Sequence, residues 1–330
     1  MKLAIAETSA HRSGGIDLFR GLLVVLVILG HFSELTQRES FLTWVGLGFR
    51  MPLFIGLSGY LFNLEQARAL PLAAFFGKYY RRLILPWLTA CVVVLTLTDA
   101  IDWLAPWSIV AQPPFHLWFV PVLLSFVLIT RGCGLSPAAM LAIALPGSIA
   151  AMYLLGAGHA VAPFALWMPD RRYFIYPVYF VLGLWVARRP FDPRGRWWSL
   201  ALASVGLLWW CRLYDHPSLP GEVAAALVMC MPVIGLFPWL RQSALSLPLI
   251  VPVGRDSLFF YLWHPLAFAL WISLGMSGGS LLALAFALIL LAWLLAARIA
   301  PLAFVLGINP RGPRPRGTAA PNGDAATGGA

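Results

Sequence analysis

Charge is scarce in this chain. Of its 330 residues, 11% are Asp, Glu, Lys or Arg and 60% are hydrophobic, and the mean hydropathy is +0.81. So few charges cannot cover a water-facing surface, and several apolar runs reach the roughly 20 residues needed to cross a bilayer, which excludes a soluble globular fold. Cysteine is also sparse. Cys91, Cys133, Cys211 and Cys230 show neither paired nor metal-type spacing and read as small apolar packing residues. The six histidines are scattered and form no ligand-spaced cluster with Cys, Asp or Glu, so no metal site is expected. No internal repeat is visible. No small-residue cleavage site follows the first apolar run, which reads as a retained signal anchor behind Lys2 and Arg12.

What remains is an all-α polytopic membrane protein, a bundle of about ten transmembrane helices. The spans are expected near 16–35, 44–63, 83–99, 115–130, 137–155, 173–187, 197–210, 222–240, 256–274 and 280–300. Pro177 interrupts the sixth. Residues 1–15 form a cytoplasmic N-terminal segment, 16–300 the transmembrane domain and 301–330 a cytoplasmic tail. Its last 20 residues, 311–330, are rich in Pro, Gly and Ala with basic residues first, cannot bury a core and are expected to be disordered. With the N-terminus inside, Arg38, Arg50, Arg171, Arg172 and Arg212 fall outside and the other 18 of the 23 Lys and Arg fall inside. That positive-inside bias predicts a multi-pass inner-membrane protein with both termini cytoplasmic. It also accounts for the net charge of +10 through anionic headgroups, with no nucleic-acid partner.

The chemistry concentrates in the first span, GIDLFRGLLVVLVILGHFS, residues 15–33. A charge within hydrocarbon costs a few kcal/mol, so Asp17, Arg20 and His31 mark a functional site. Arg20 and His31 lie eleven residues apart, on one helix face and about 16 Å apart along the axis. Asp17 lies one turn before Arg20, within salt-bridge reach.

Four further stretches carry candidates. In LFIGLSGYLF, Ser58-Gly59 either packs helices closely or places Ser58 in a pocket. In GKYYRRLILPWL, Lys78, Arg81 and Arg82 share a face as headgroup anchors or as a phosphate clamp. In FHLWFVPVLL, Trp118 suits an interfacial anchor or a pocket wall, and His116 faces an outer vestibule. In GRDSLFFYLWHPL, Ser257, Tyr261 and His264 make a polar stripe at i, i+4 and i+7. Pro265 follows, where a kink or break in the helix is expected beside a watery cavity.

Together, IDLFRGLLVVLVILGH, LFIGLSGYLF, KYYRRLILPW, HLWFVPVLL, YPVYFVLGLWVA and DSLFFYLWHP resemble the acyltransferase 3 family of integral membrane acyltransferases, in the family's order, over roughly residues 15–300. The resemblance implies transfer of an acyl group, most simply acetyl, from cytosolic acyl-CoA to a hydroxyl of a surface glycan or lipid-linked saccharide. It makes His31 the essential histidine and Arg20 its basic partner. Lys78 and Arg81 correspond to an Arg-x-x-Arg pair, with lysine replacing the first arginine and its bidentate fork. No fused SGNH-type domain is present in the sequence. No cofactor is expected to be permanently bound, acyl-CoA being a donor substrate.

The residues suit that chemistry. His31 would take the acceptor's proton as a general base, or form a transient acyl-imidazole. Arg20 would steer the donor, with Asp17 holding it, while Lys78, Arg81 and Arg82 grip CoA phosphates. Ser58, His116, Trp118, Ser257, Tyr261 and His264 would line the pocket. Loops 156–172 and 211–221 suit acceptor recognition, and His159 and His216 there read as solvated. The competing class is a proton-coupled transporter using Asp17, Arg20 and His31 as a relay. It predicts no consumption of a thioester. A third class, a structural partner of a glycan-assembly complex, predicts that His31→Ala is silent.

Overall fold

A computed structural model describes residues 14–36, 40–98, 106–157, 168–190 and 192–308. The signal-anchor flank with Lys2 and Arg12, His159, and the tail beyond 308 lie outside the described residues. The described residues form helices and connections with no strand, the longer helices being α1 Gly14–Leu35, α2 Phe41–Tyr60, α3 Leu72–Thr98, α4 Phe119–Gly132, α5 Pro137–Leu155, α6 Pro177–Val186, α7 Gly195–Arg212, α8 Leu219–Gly235, α9 Ser257–Ser273 and α10 Gly278–Ala296. One helix falls at each of the ten expected spans; among the described residues six helices are long and apolar enough to cross a membrane and three more are shorter apolar helices, and the protein is a polytopic helical membrane protein.

The boundaries differ where prolines act. The helix containing the third span begins at Leu72, well before the apolar run. It passes through a π-helical turn at Tyr80–Ile84, in which the Leu85 N–H reaches back to the Tyr80 carbonyl. Pro86 explains the widening, since its ring cannot donate and crowds the carbonyl four residues back. The fourth span starts late. Pro113 and Pro114 bar helix ahead of it, and Phe115 takes a φ of 54°, so residues 116–118 are buried but non-helical behind an exposed Phe115. The sixth span breaks at Tyr176, ahead of Pro177, as expected. α9 runs unbroken through Pro265, so the expected break is absent; one lost backbone bond is tolerated in a helix enclosed by neighbours.

Small residues bring the core helices together. A side chain on Gly183 of α6 would strike the Gly56 carbonyl of α2, and one on Gly59 would strike the Phe180 carbonyl. Backbone cannot yield as a side-chain tip can. Gly59→Leu is therefore expected to destabilise the fold by about 3 kcal/mol or more and to lose the monodisperse size-exclusion peak. A wild-type profile for that variant would disprove this contact.

Arg68 and Arg131, two cations expected on the inner face, cap helices. Arg131 donates to the carbonyls of Ala67 and Leu70, and Arg68 to those of Thr130 and Leu135. The carbonyls of Ala67, Leu70 and Thr130 are ones that a helix end leaves open, and that of Leu135 lies in the connection to α5.

Candidate active site

The end of α1 carries a hydrogen-bonded chain of three residues. His31 Nδ1 lies 3.1 Å from Glu34 Oε2, one turn on, and the Arg50 guanidinium of α2 donates to Glu34 Oε1 at 2.9 Å. Arg50 is 5% exposed, so its charge has left water and requires its carboxylate. It reaches Glu34 across Gly30: a side chain there would occupy the guanidinium's place. A carboxylate only accepts, so the pairing puts a proton on His31 Nδ1 and, in the neutral ring, leaves the lone pair on Nε2. A carboxylate fixing a histidine tautomer in this way is how a general base is oriented.

Two more imidazoles enclose His31. The ring centroids of His116 and His264 stand 6.1 and 5.1 Å from it. Both are 1% exposed. The irregular segment before α4 delivers His116, whose Nε2 donates to the Leu262 carbonyl at 3.0 Å. His264 Nδ1 donates to the Phe260 carbonyl at 2.8 Å, and its Nε2 is buried without a partner. Carbonyls cannot donate, so each bond places a proton on the ring nitrogen that faces the carbonyl. The Tyr261 hydroxyl donates to the His116 carbonyl and ties α9 to that segment.

Two cavities approach this cluster from opposite ends of α1. One, of about 410 Å³, is lined by His31, Glu34, Arg50, His116, Trp118 and Tyr261, together with Arg171, Arg172 and Pro265. The other, of about 270 Å³, is lined by Arg20, Ser58, Lys78, Arg82, Arg255 and Ser257, and also reaches Tyr261. The Tyr261 side chain stands between them. The sequence-derived topology sorts the same way: Arg50, Arg171 and Arg172, expected outside, line the His31 cavity, and Arg20, Lys78, Arg82 and Arg255, expected inside, line the other.

Several expected residues take unexpected partners. Asp17 is engaged by Arg255, whose Nε lies 3.0 Å from Oδ2, because Gly254 lets the chain before α9 press against the α1 backbone. Arg81 does not line the second cavity as Lys78 and Arg82 do, because the π-turn shifts the register of the basic face. In Ser58-Gly59 the two readings divide between the residues. Gly59 packs, while Ser58 lines the cavity and bonds the Phe54 carbonyl. Trp118 is buried, with the Arg172 guanidinium 4.4 Å from its ring centroid, so it is no lipid-facing anchor. His216 is exposed. Glu34 and Arg50 were not anticipated. The available signal was Glu34 at i+3 from His31.

Among the described residues no group of three or more His, Cys, Asp or Glu is placed to hold a metal ion. The four cysteines are free.

A membrane helix bundle with three histidines gathered beside a cavity, and a second, cationic cavity beyond Tyr261, defines a membrane protein with a candidate site inside the bundle. The comparisons narrow that class. The family model described as an acyltransferase domain matches residues 13–300. The chain belongs to the acyltransferase 3 family and is a membrane acyltransferase. No curated protein and no solved structure matches it.

Proposed function

We propose that this protein transfers an acetyl group from cytosolic acetyl-CoA to a hydroxyl of a surface glycan or lipid-linked saccharide, with His31 as general base. The observation that carries the reading is the His31–Glu34–Arg50 chain, which leaves the Nε2 lone pair on a cavity wall. The acceptor occupies the His31 cavity. Nε2 takes its hydroxyl proton as the oxygen attacks the thioester carbon. The tetrahedral intermediate collapses with cleavage of the C–S bond, and the imidazolium returns the proton to the departing CoA sulfur. Glu34 keeps Nδ1 protonated throughout and stabilises the imidazolium, as the third member of a base triad does.

The second cavity suits the donor. Arg20, Lys78, Arg82 and Arg255 concentrate positive charge at its wall, which matches CoA phosphates. Ser58, Ser257 and Tyr261 line the way inward. The positive-inside bias puts this cavity, both termini and the donor on the cytosolic side of an inner membrane.

The test is thiol release from acetyl-CoA by protein in liposomes, with extracted envelope glycans as acceptor. Acceptor-dependent release supports the reading. No release with competent donor and acceptor would overturn it and leave a transporter as the stronger account. The donor site makes its own prediction. Lys78→Ala/Arg82→Ala is expected to raise KM for acetyl-CoA about 30-fold, at roughly 1 kcal/mol per lost surface cation, with kcat within a factor of about three. A fall in kcat at unchanged KM would remove these residues from donor binding.

A further inference from the structure

A third cavity, of about 220 Å³, lies apart from both of the above, where α6 ends and α7 begins. Trp185, Arg189, Arg196 and Ser199 line it, and Asp192 supplies a carboxylate on its wall. Each arginine rests on an indole. The Arg189 guanidinium is 3.8 Å from the Trp185 ring centroid, and that of Arg196 is 4.9 Å from the Trp197 ring centroid. Neither forms an ion pair among the described residues, whereas Arg50, Arg172, Arg188 and Arg255 each have a carboxylate within 3.0 Å. The buried Nε of Arg196 has no hydrogen-bond partner. Asp192 does not supply it, as its Oδ1 accepts the Arg194 N–H. Two guanidinium groups against one carboxylate leave the cavity positive, and the N-terminus of the 18-residue helix α7 adds to that field.

The surroundings indicate where the anion comes from. Trp197 and Trp198 are 64% and 76% exposed beside the cavity, and indoles so placed sit at headgroup level in a membrane. Leu200, Leu202 and Val205 continue the exposed apolar surface along α7. A ligand reaching this cavity from the bilayer presents its phosphate to the arginines and its chains to that helix. We infer that this cavity binds the phosphate of an anionic membrane lipid. Guanidinium planes match phosphate oxygens bidentately, and stacking on indoles holds those planes in place. The site braces the α6–α7 junction against the chain after α8 and is independent of the acyl-transfer reading.

The test is native mass spectrometry of the full-length protein in detergent, titrated with phosphatidylglycerol, phosphatidylcholine or inorganic phosphate. Wild type is expected to retain phosphatidylglycerol over phosphatidylcholine. Arg189→Gln/Arg196→Gln is expected to bind it about 25-fold more weakly, at roughly fivefold per lost cation. Arg298→Gln, which removes a cation at the end of α10, should leave binding unchanged. Thermal shift in the same lipids provides a second readout and confirms that the double variant folds. Equal retention of both lipids by wild type, or equal retention of phosphatidylglycerol by wild type and the double variant, would overturn the proposal. Displacement of the lipid by millimolar inorganic phosphate would also overturn it, in favour of a soluble ligand.

Discussion

His31→Ala protein in acceptor-loaded liposomes is expected to release CoA thiol about 10²–10⁴ times more slowly than wild type, the range that a positioned general base supplies. The loss should fall on kcat, since the imidazole acts as the hydroxyl is deprotonated and not when the donor binds. The fold should survive, because His31 is part-exposed on a cavity wall and its removal strands no buried charge: Glu34 keeps Arg50. Thiol release, size exclusion and thermal unfolding of both proteins make the check. Equal rates would keep the enzyme but remove His31 from its centre.

The second large effect is expected at Glu34, a residue that the sequence reading did not single out. Glu34→Gln keeps shape and can still accept from Arg50 through its amide oxygen. Its other end is an NH₂ group, which donates. A donor facing Nδ1 favours the opposite tautomer, with the proton on Nε2, so the base presents hydrogen where a lone pair is needed. The analogous change in serine proteases lowers kcat by about 10⁴. Here the carboxylate is 48% exposed, so water competes and about 10²-fold is expected. Glu34→Asp, retaining the charge one methylene short, should recover part of the rate. A Glu34→Gln enzyme with wild-type kcat would show that the pairing is structural.

Much of the bundle was legible because a bilayer imposes one length on every span and permits few charges within it. His31, Arg20 and Asp17 stood out for that reason. Arg50 did not, because it was counted with the outer cations, whereas it lies midway along α2. Its burial depends on Glu34, sixteen residues earlier. The approach of His31, His116 and His264 likewise rests on three segments far apart in sequence, and no periodicity reports such a meeting. Trp118 illustrates the limit of the aromatic-belt rule: the side chain suits an interface, yet a guanidinium lies over its ring. Arg81 and Arg82 were separated by a local effect, the π-turn ahead of Pro86. Regular helical spacing cannot anticipate that turn.

Gly30 has no side chain with which to hold a substrate. Yet any atom added to it meets the Arg50 guanidinium, and a displaced Arg50 releases the carboxylate that sets the His31 tautomer. In a mutational scan scored by activity, position 30 is expected to register with His31 and Glu34 while contributing no functional group. What it supplies is vacancy: the His31 ring is oriented by a gap one residue away, kept open for an arginine that crosses from the neighbouring helix.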